Sequence, residues 1–430
     1  MGSLCDNCRR SGRVWCPHNA ALEIRTRIAG SLKQDMFGPT PPNLFVGHNF
    51  YPKVYWGPLV SAVSPNAEQG EESGAAARTP NDIEDPAKMY GMTLQSIIES
   101  RANMVRGMKR DSVKATSRML EEAQQTVMSI KPVDVETHFS KKPVFSLEFD
   151  AITHPVGASA PIEKFKMADN PEIPKKVDEL HDDGVLATEA LRELLLSGFD
   201  VHYLSKLLTA GILGKKENRK LVPTKWSITA TDDMAGKRFM ESLRDYRELE
   251  EIRVYSNQYL DNHFEILLLP GNWEYEQFET ALTKEIEELY RKRQDRAALK
   301  FSSSLHWEAW GANASQVNMS EEYEPFAGRS DYAERQGGGY YAARFAVAEG
   351  LYLMNRQARA IVFREIGTGY SVPVGVWEVR ENVRHAFLNT PEKFATREEA
   401  LLHLSEKLSV PLREYKKLSR VLLQRRLTEF

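Results

Sequence analysis

The chain has 430 residues, 42% of them hydrophobic and 27% charged, with a formal net charge of −3. That length exceeds one average domain and supports a sizeable core, while no run approaches the roughly 18 apolar residues that a membrane-spanning helix needs. A charge this close to zero argues against a globally basic nucleic-acid binder, so any DNA-binding surface has to be local.

In chain order, the first feature is a cysteine-rich head. Cys5, Cys8 and Cys16 are the only cysteines, and an odd number clustered in sixteen residues points to metal or redox chemistry rather than a disulfide framework. With His18 they supply the Cys3His donor set of a tetrahedral structural Zn2+. In an extended segment residues two apart face the same way, which would let Cys16 and His18 close the site together. A head this short has no core of its own, so the ion would supply its folding free energy. A frayed terminus with incidental thiols and a redox CxxC are the alternatives. The charged N-terminus lacks the apolar run of a secretory signal, so a cytoplasmic, nucleoid-associated protein is expected.

Residues 44–63, rich in aromatic and β-branched side chains, predict short strands, and the polar run 64–86 a surface loop. Residues 93–130 carry apolar positions mostly at helical intervals, with Gly107 and the Asp111-Ser112 pair as points of interruption. On such a helix Arg106, Arg110, Lys114 and Arg118 recur every four residues with Arg101 and Lys109 nearby, which gives a positive stripe suited to a phosphate backbone or, equally, a solvated face. KPVFSLEFDAI (142–152) predicts a buried strand and HPVGASAPIEKF (154–165) an ordered loop. Residues 186–213 predict two helices, the second capped by Asp200. KWSITATDD (225–233) alternates like a strand and ends in Asp232 and Asp233, ahead of a helix at about 235–250. Carboxylates at a strand end suit Mg2+ or Mn2+ in phosphodiester chemistry, or they simply cap the next helix.

Further on, 252–270 predicts a hairpin and 274–298 a charged amphipathic helix. His306, Trp307, Glu308, Arg329, Asp331 and Tyr332 lie in irregular sequence of the kind that lines pockets. Gly337, Gly338 and Gly339 open a helix over 337–354, where their N–H groups would suit a phosphate or a tight turn; P-loop lysine spacing and GxGxxG are both missing. ARAIVFREI (358–366) and PVGVWEV (373–379) predict strands, and 397–423 helices. The fold class is therefore mixed α and β: one large α/β or α+β body with a small zinc-binding head and a helical C-terminus. The expected divisions are 1–20, a body over 21–395 with a possible break near 170–185, helices over 396–423 and a terminal peptide at 424–430.

That peptide places Gln424, Leu427 and Phe430 three residues apart, so one 3₁₀ turn eclipses them on one side. Leu427 and Phe430 would enter an apolar pocket while the Gln424 amide bonds at its rim, the pattern of short peptides that dock on the DNA sliding clamp. The alternative is that the two apolar residues pin the tail to its own body.

The head, IESRANMVRGMKR (98–110), VPTKWSITATDD (222–233), GGGYYAARFAVAEGLY (337–352), REIGTGYSVPVGVWEVRENVR (364–384) and the terminal peptide together resemble the archaeal NreA family of DNA repair proteins, over nearly the whole chain. The resemblance implies a role in DNA damage repair, recruitment to the sliding clamp by Gln424, Leu427 and Phe430, and a zinc-finger-like head. In the family that head is a four-cysteine site; here His18 stands as the fourth donor. No catalytic residue is carried over. A metal-dependent phosphodiester hydrolase or nucleotide-processing enzyme is the rival expectation.

Overall fold

The computed structural model describes residues 16–62, 83–282, 300–302 and 316–423, with only the backbone at 17, 18, 300–302, 316 and 317. Cys5, Cys8, residues 306–308 and the peptide Gln424, Leu427, Phe430 lie outside the described residues. Two compact units emerge: residues 17–235 with 373–375, and residues 236–372 with 376–430 plus the first sixteen.

The first unit runs α1 (Pro17–Ile28), β1 (Asp35–Thr40), β2 (Leu44–Val46), β3 (Lys53–Ser61), α2 (Pro86–Met89), α3 (Leu94–Ala102), β4 (Met104–Ser112), α4 (Arg118–Met128), β5 (Val133–Phe139), β6 (Ser159–Met167), α5 (Lys175–Asp183), α6 (Ala187–Leu196), α7 (Val201–Thr209) and the start of α8 (Thr224–Leu243). Its six strands pair in the order β1-β5-β6-β4-β3-β2, antiparallel except for β4 with β6. Val54, Trp56, Val60, Ile97, Ile98, Val105, Val127 and Phe139 are buried between sheet and helices. Strands β3 and β4 approach closely where pairing breaks after Trp56↔Lys109 and resumes at Leu59↔Arg106. Gly57 is required there, because a Cβ would overlap the Gly107 carbonyl.

The long helix expected over 93–130 is instead α3, β4 and α4. Asn103 ends α3, and Ser117 restarts helix by accepting the Leu120 N–H. Residues 142–152 form no strand, making only isolated bridges at Val144↔Ser159 and Glu148↔Val156, whereas the expected loop at 154–165 leads into β6. Asp200 caps α7 as expected, accepting the His202 N–H at 2.8 Å.

The second unit continues with β7 (Arg247–Glu248), β8 (Ile252–Tyr259), β9 (Asn262–Leu269), β10 (Glu274–Ala281), β11 (Lys300–Ser302), β12 (Gln316–Glu324), α9 (Gly338–Met354), β13 (Arg356–Gln357), β14 (Arg359–Ile366), α10 (Trp377–Leu388), β15 (Glu392–Phe394), α11 (Arg397–Lys407), α12 (Leu412–Leu418) and α13 (Arg420–Leu423). Seven strands pair as β11-β12-β10-β14-β9-β8-β15. The β8–β9 hairpin turns at Leu260 and Asp261, both with positive φ. Residues 274–281 are a buried central strand rather than the expected helix, and 377–388 a helix rather than a strand.

On one face of this sheet Ile252, Leu267, Phe278, Ile361 and Phe363 pack against Leu401, Leu404, Leu412 and Tyr415 of the C-terminal helices. Two buried glutamates on that face hold the helix starts. Glu365 accepts the Ser409 and Val410 N–H groups and the Tyr415 hydroxyl. Glu276 accepts the Ser419 hydroxyl and the Arg420 N–H. Arg359 and Arg397 donate to the Val421 and Leu422 carbonyls, so the last described turn is tied down at both ends.

Candidate nucleic-acid interface

Strand β4 sends Arg106, Met108 and Arg110 to one side of the sheet, because side chains alternate along a strand. Arg106 stacks its guanidinium 4.5 Å from the Phe45 ring centroid. Arg110 lies 5.2 Å from Phe50 and 5.9 Å from Tyr55, distances at which a cation is attracted to the ring face. Phe50 and Tyr55 meet edge to face at 6.0 Å. Beside them Tyr51 packs against Trp226 at 5.1 Å and accepts a bond from Lys220. Trp226 is brought there by the first turn of α8, whose Thr224 accepts the Val46 N–H of β2.

Phe50 is 54% exposed and Trp226 47%, with Tyr51 and Tyr55 close behind. Large apolar rings left in water and interleaved with Arg110, Lys220 and Lys53 are the combination that can stack bases while cations meet phosphate. Below this rim a cleft of about 340 Å³ is lined by Phe45, His48, Trp56, Arg106, Met108, Glu148, Phe149, Asp150, His154 and Lys225. Asp150 is fixed by the Ile152 and Thr153 N–H groups and ion-pairs with Lys225. Burial and the nearby Lys225 lower the His48 pKa, so the ring is neutral at pH 7. Among the described residues the ionic neighbour of Arg106 is the exposed Glu148, at 3.8 Å.

The other candidates separate. Lys109 and the exposed Lys114 follow on β4 and the turn after it, and Arg118 opens α4, paired with Glu122 at 3.2 Å. The single helical stripe does not exist, since these residues span a strand, a turn and a helix. Arg101 is buried, ion-paired with Glu84 and bonded to the Pro155 carbonyl, and burial lowers its pKa to about 9. It holds the core and does not reach the surface.

Asp232 and Asp233 sit in the middle of α8, with Asp232 fully buried and both engaged by neighbours, so the strand-end geometry expected of a metal pair is not present. Among the described residues no three His, Cys, Asp or Glu side chains converge as ligands. Cys16 is buried, and the backbone of His18 belongs to the first turn of α1 rather than to an extended segment. Gly337 and Gly339 already donate to the Ala333 and Gln336 carbonyls, and a Cβ on Gly339 would overlap the Glu279 carboxylate. Gly339 therefore serves close packing on a buried acid, the reverse of a phosphate cradle, and Gly337 takes the positive φ of the turn before α9.

The ring-bearing residues of the rim were not singled out from sequence, although NFYPKVYW (49–56) interleaves aromatic and basic residues in the manner of nucleic-acid surfaces. Among the described residues no helix is long and apolar enough to cross a membrane.

Comparison with known proteins adds a family. The model described as Archaeal Nre, N-terminal, matches residues 11–286, and Archaeal Nre, C-terminal, matches 324–430. DNA repair protein NreA of Archaeoglobus fulgidus is 33% identical over 413 residues, 94% of this chain and 93% of the relative. DNA repair protein NreB of the same organism is 34% identical over 92% of this chain and 91% of its own. NreA of Haloferax volcanii is 31% identical over 89% and 86%. No solved structure matches.

Proposed function

The chain belongs to the archaeal Nre family, and from that membership we propose that it is a DNA repair factor that contacts DNA through the basic and aromatic rim of its first unit. The relatives named as DNA repair proteins support the repair role. The observation that carries the DNA contact is the stacking of Arg106 and Arg110 on Phe45, Phe50 and Tyr55 beside the exposed Tyr51–Trp226 pair. Guanidinium groups held on ring faces are pre-organised donors, and the open rings accept bases without regard to sequence.

Recruitment to the sliding clamp by Gln424, Leu427 and Phe430 is part of the same proposal. Its support is their spacing and the firm seat of the preceding residues 419–422 on Glu276, Arg359 and Arg397. A structural Zn2+ on Cys5, Cys8 and Cys16, with His18 as the fourth donor, rests on donor chemistry alone. A repair factor of this kind works at the nucleoid.

Fluorescence anisotropy with labelled single-stranded and gapped DNA tests the contact. Arg110→Glu combined with Lys220→Glu is expected to weaken binding by about tenfold or more at low salt. Binding equal to that of the unaltered protein, or no binding by either, would overturn the assignment of this surface.

A further inference from the structure

We propose that the cleft beneath the rim is an abasic-site lyase centre, in which the Lys225 amine attacks the aldehyde of a deoxyribose that has lost its base. The inference rests on the DNA contact proposed above and adds a reaction to it. Its starting point is the balance of charge along the cleft. Arg106 is answered by Glu148 and Lys225 by Asp150, while burial and Lys225 hold the His48 ring neutral. A phosphate would meet two carboxylates there, whereas a neutral guest meets no net repulsion.

One of these groups is a carbonyl nucleophile, fixed in place and open to the cleft. Lys225 lies in the first turn of α8, and its side chain is 29% exposed, with that of Asp150 at 25%. The Asp150 Oδ1 accepts the Ile152 N–H at 2.8 Å and the Thr153 N–H at 3.0 Å, which leaves Oδ2 to the Lys225 ammonium. An amine steadied by a carboxylate, with a neutral imidazole on the same cleft, is a set suited to Schiff-base chemistry. The next residue, Trp226, is a ring of the rim, so a strand stacked on the rings carries its sugars past the mouth of the cleft. An intact nucleotide offers no aldehyde and cannot react; a sugar without its base offers one at C1′.

The ammonium and the aldehyde condense to an iminium, the C1′–N bond forming as the carbonyl oxygen leaves as water. His48 then takes the C2′ proton, the C3′–O bond breaks and the phosphate departs with the 3′ strand. Water hydrolyses the iminium and returns the lysine, so no oxidant, reductant or other co-reactant is consumed. Asp150 acts through Lys225 and is a positioning residue.

The full-length protein is mixed with a duplex that carries one abasic site, with and without sodium borohydride, which reduces the iminium to a stable amine. The expected result is cleavage at the site without borohydride and, with it, a covalent protein–DNA adduct that peptide mass mapping places on Lys225. Lys225→Arg, which keeps the charge but forms no iminium, is expected to lose cleavage by about a hundredfold while still binding the duplex. His48→Ala is expected to slow cleavage by about a hundredfold with the adduct still formed. Asp150→Asn is expected to lower kcat by about tenfold or more and to leave KM near its value.

Binding of the abasic duplex with neither adduct nor cleavage overturns the lyase centre and leaves the DNA contact standing. An adduct mapped to another lysine, or cleavage that persists in Lys225→Arg, overturns it as well. Failure to bind the duplex at all overturns both. Should a variant not fold, the mapped adduct of the unaltered protein decides.

Discussion

Arg106 lays its guanidinium on the ring of Phe45, 4.5 Å from the centroid, although its ionic neighbour Glu148 is 3.8 Å away and largely in water. An arginine held mainly by an aromatic face keeps most of its positive potential, since the ring does not neutralise it. The charge therefore remains to meet an incoming phosphate or base.

The rim residues separate binding from stability. Phe50→Ala and Trp226→Ala remove rings that are about half exposed, so each should shift the melting temperature little. Loss of one stacking platform is expected to weaken single-stranded DNA binding by about fivefold to a hundredfold. Titration and thermal melts of both variants check this. A large fall in melting temperature with affinity retained would mean that the rings are part of the core.

Arg101 should behave in the opposite way. Removing one partner of a buried ion pair strands the other, so Arg101→Met is expected to cost about 3–5 kcal/mol. Denaturant unfolding measures the loss, and the fraction that stays folded should bind DNA normally. A stable variant that no longer binds DNA would return Arg101 to the interface.

Glu276 makes stability depend on pH. Burial raises its carboxyl from 4.5 to about 7, against the hydrogen bonds of Ser419 and Arg420 that favour the ionised form. Between those values the folded protein holds a proton that the unfolded chain has released, so stability falls as pH rises from about 5 to 7 and levels off above. The total is on the order of 3 kcal/mol at most. Glu378, also raised to about 7, adds a slope of the same sign. Glu276→Gln should flatten part of the decline when melting is followed from pH 5 to pH 8. An unchanged slope would mean that Glu276 titrates normally.

The terminal peptide yields a clean dissection. The helices before it end on contacts made by Glu276, Arg359 and Arg397 to residues 419–422, none of which involves 424–430. Deleting 424–430 is expected to abolish clamp binding in pull-down or calorimetry while moving the melting temperature by less than about 2 °C. A marked loss of stability would show that Leu427 and Phe430 pin the tail to the body.

Local signals in the sequence located the elements whose causes are local. Asp200 announced a helix start, the alternation on both sides of Leu260-Asp261 gave the hairpin, and GGGYYAARF opened a helix that lies where expected. Strand β4 was misread because charges spaced by four satisfy a strand's period of two as well as a helical turn. The Thr and Ser pattern of 225–233 mimics a strand, yet in α8 the Thr229 hydroxyl bonds back to the Lys225 carbonyl and Ser227 and Thr231 are buried. Strand β10, EYEQFETA, looked too charged for a core. Its acids are answered by Ser419, Arg420 and Arg364, 85 to 144 residues away, and no window of sequence shows that. The interface was half legible for the same reason: the cations stood out, but the rings that hold them come from β2, the loop before β3, and β3 itself.

The salt dependence of DNA binding tests the central claim most directly. If Arg106 and Arg110 meet phosphates, the plot of log affinity against log salt concentration should be steep for the unaltered protein. It should become shallower by about 0.7 per lost contact on single strands in the Arg106→Ala, Arg110→Ala variant. A slope that is the same in both proteins, or flat in both, would contradict the account.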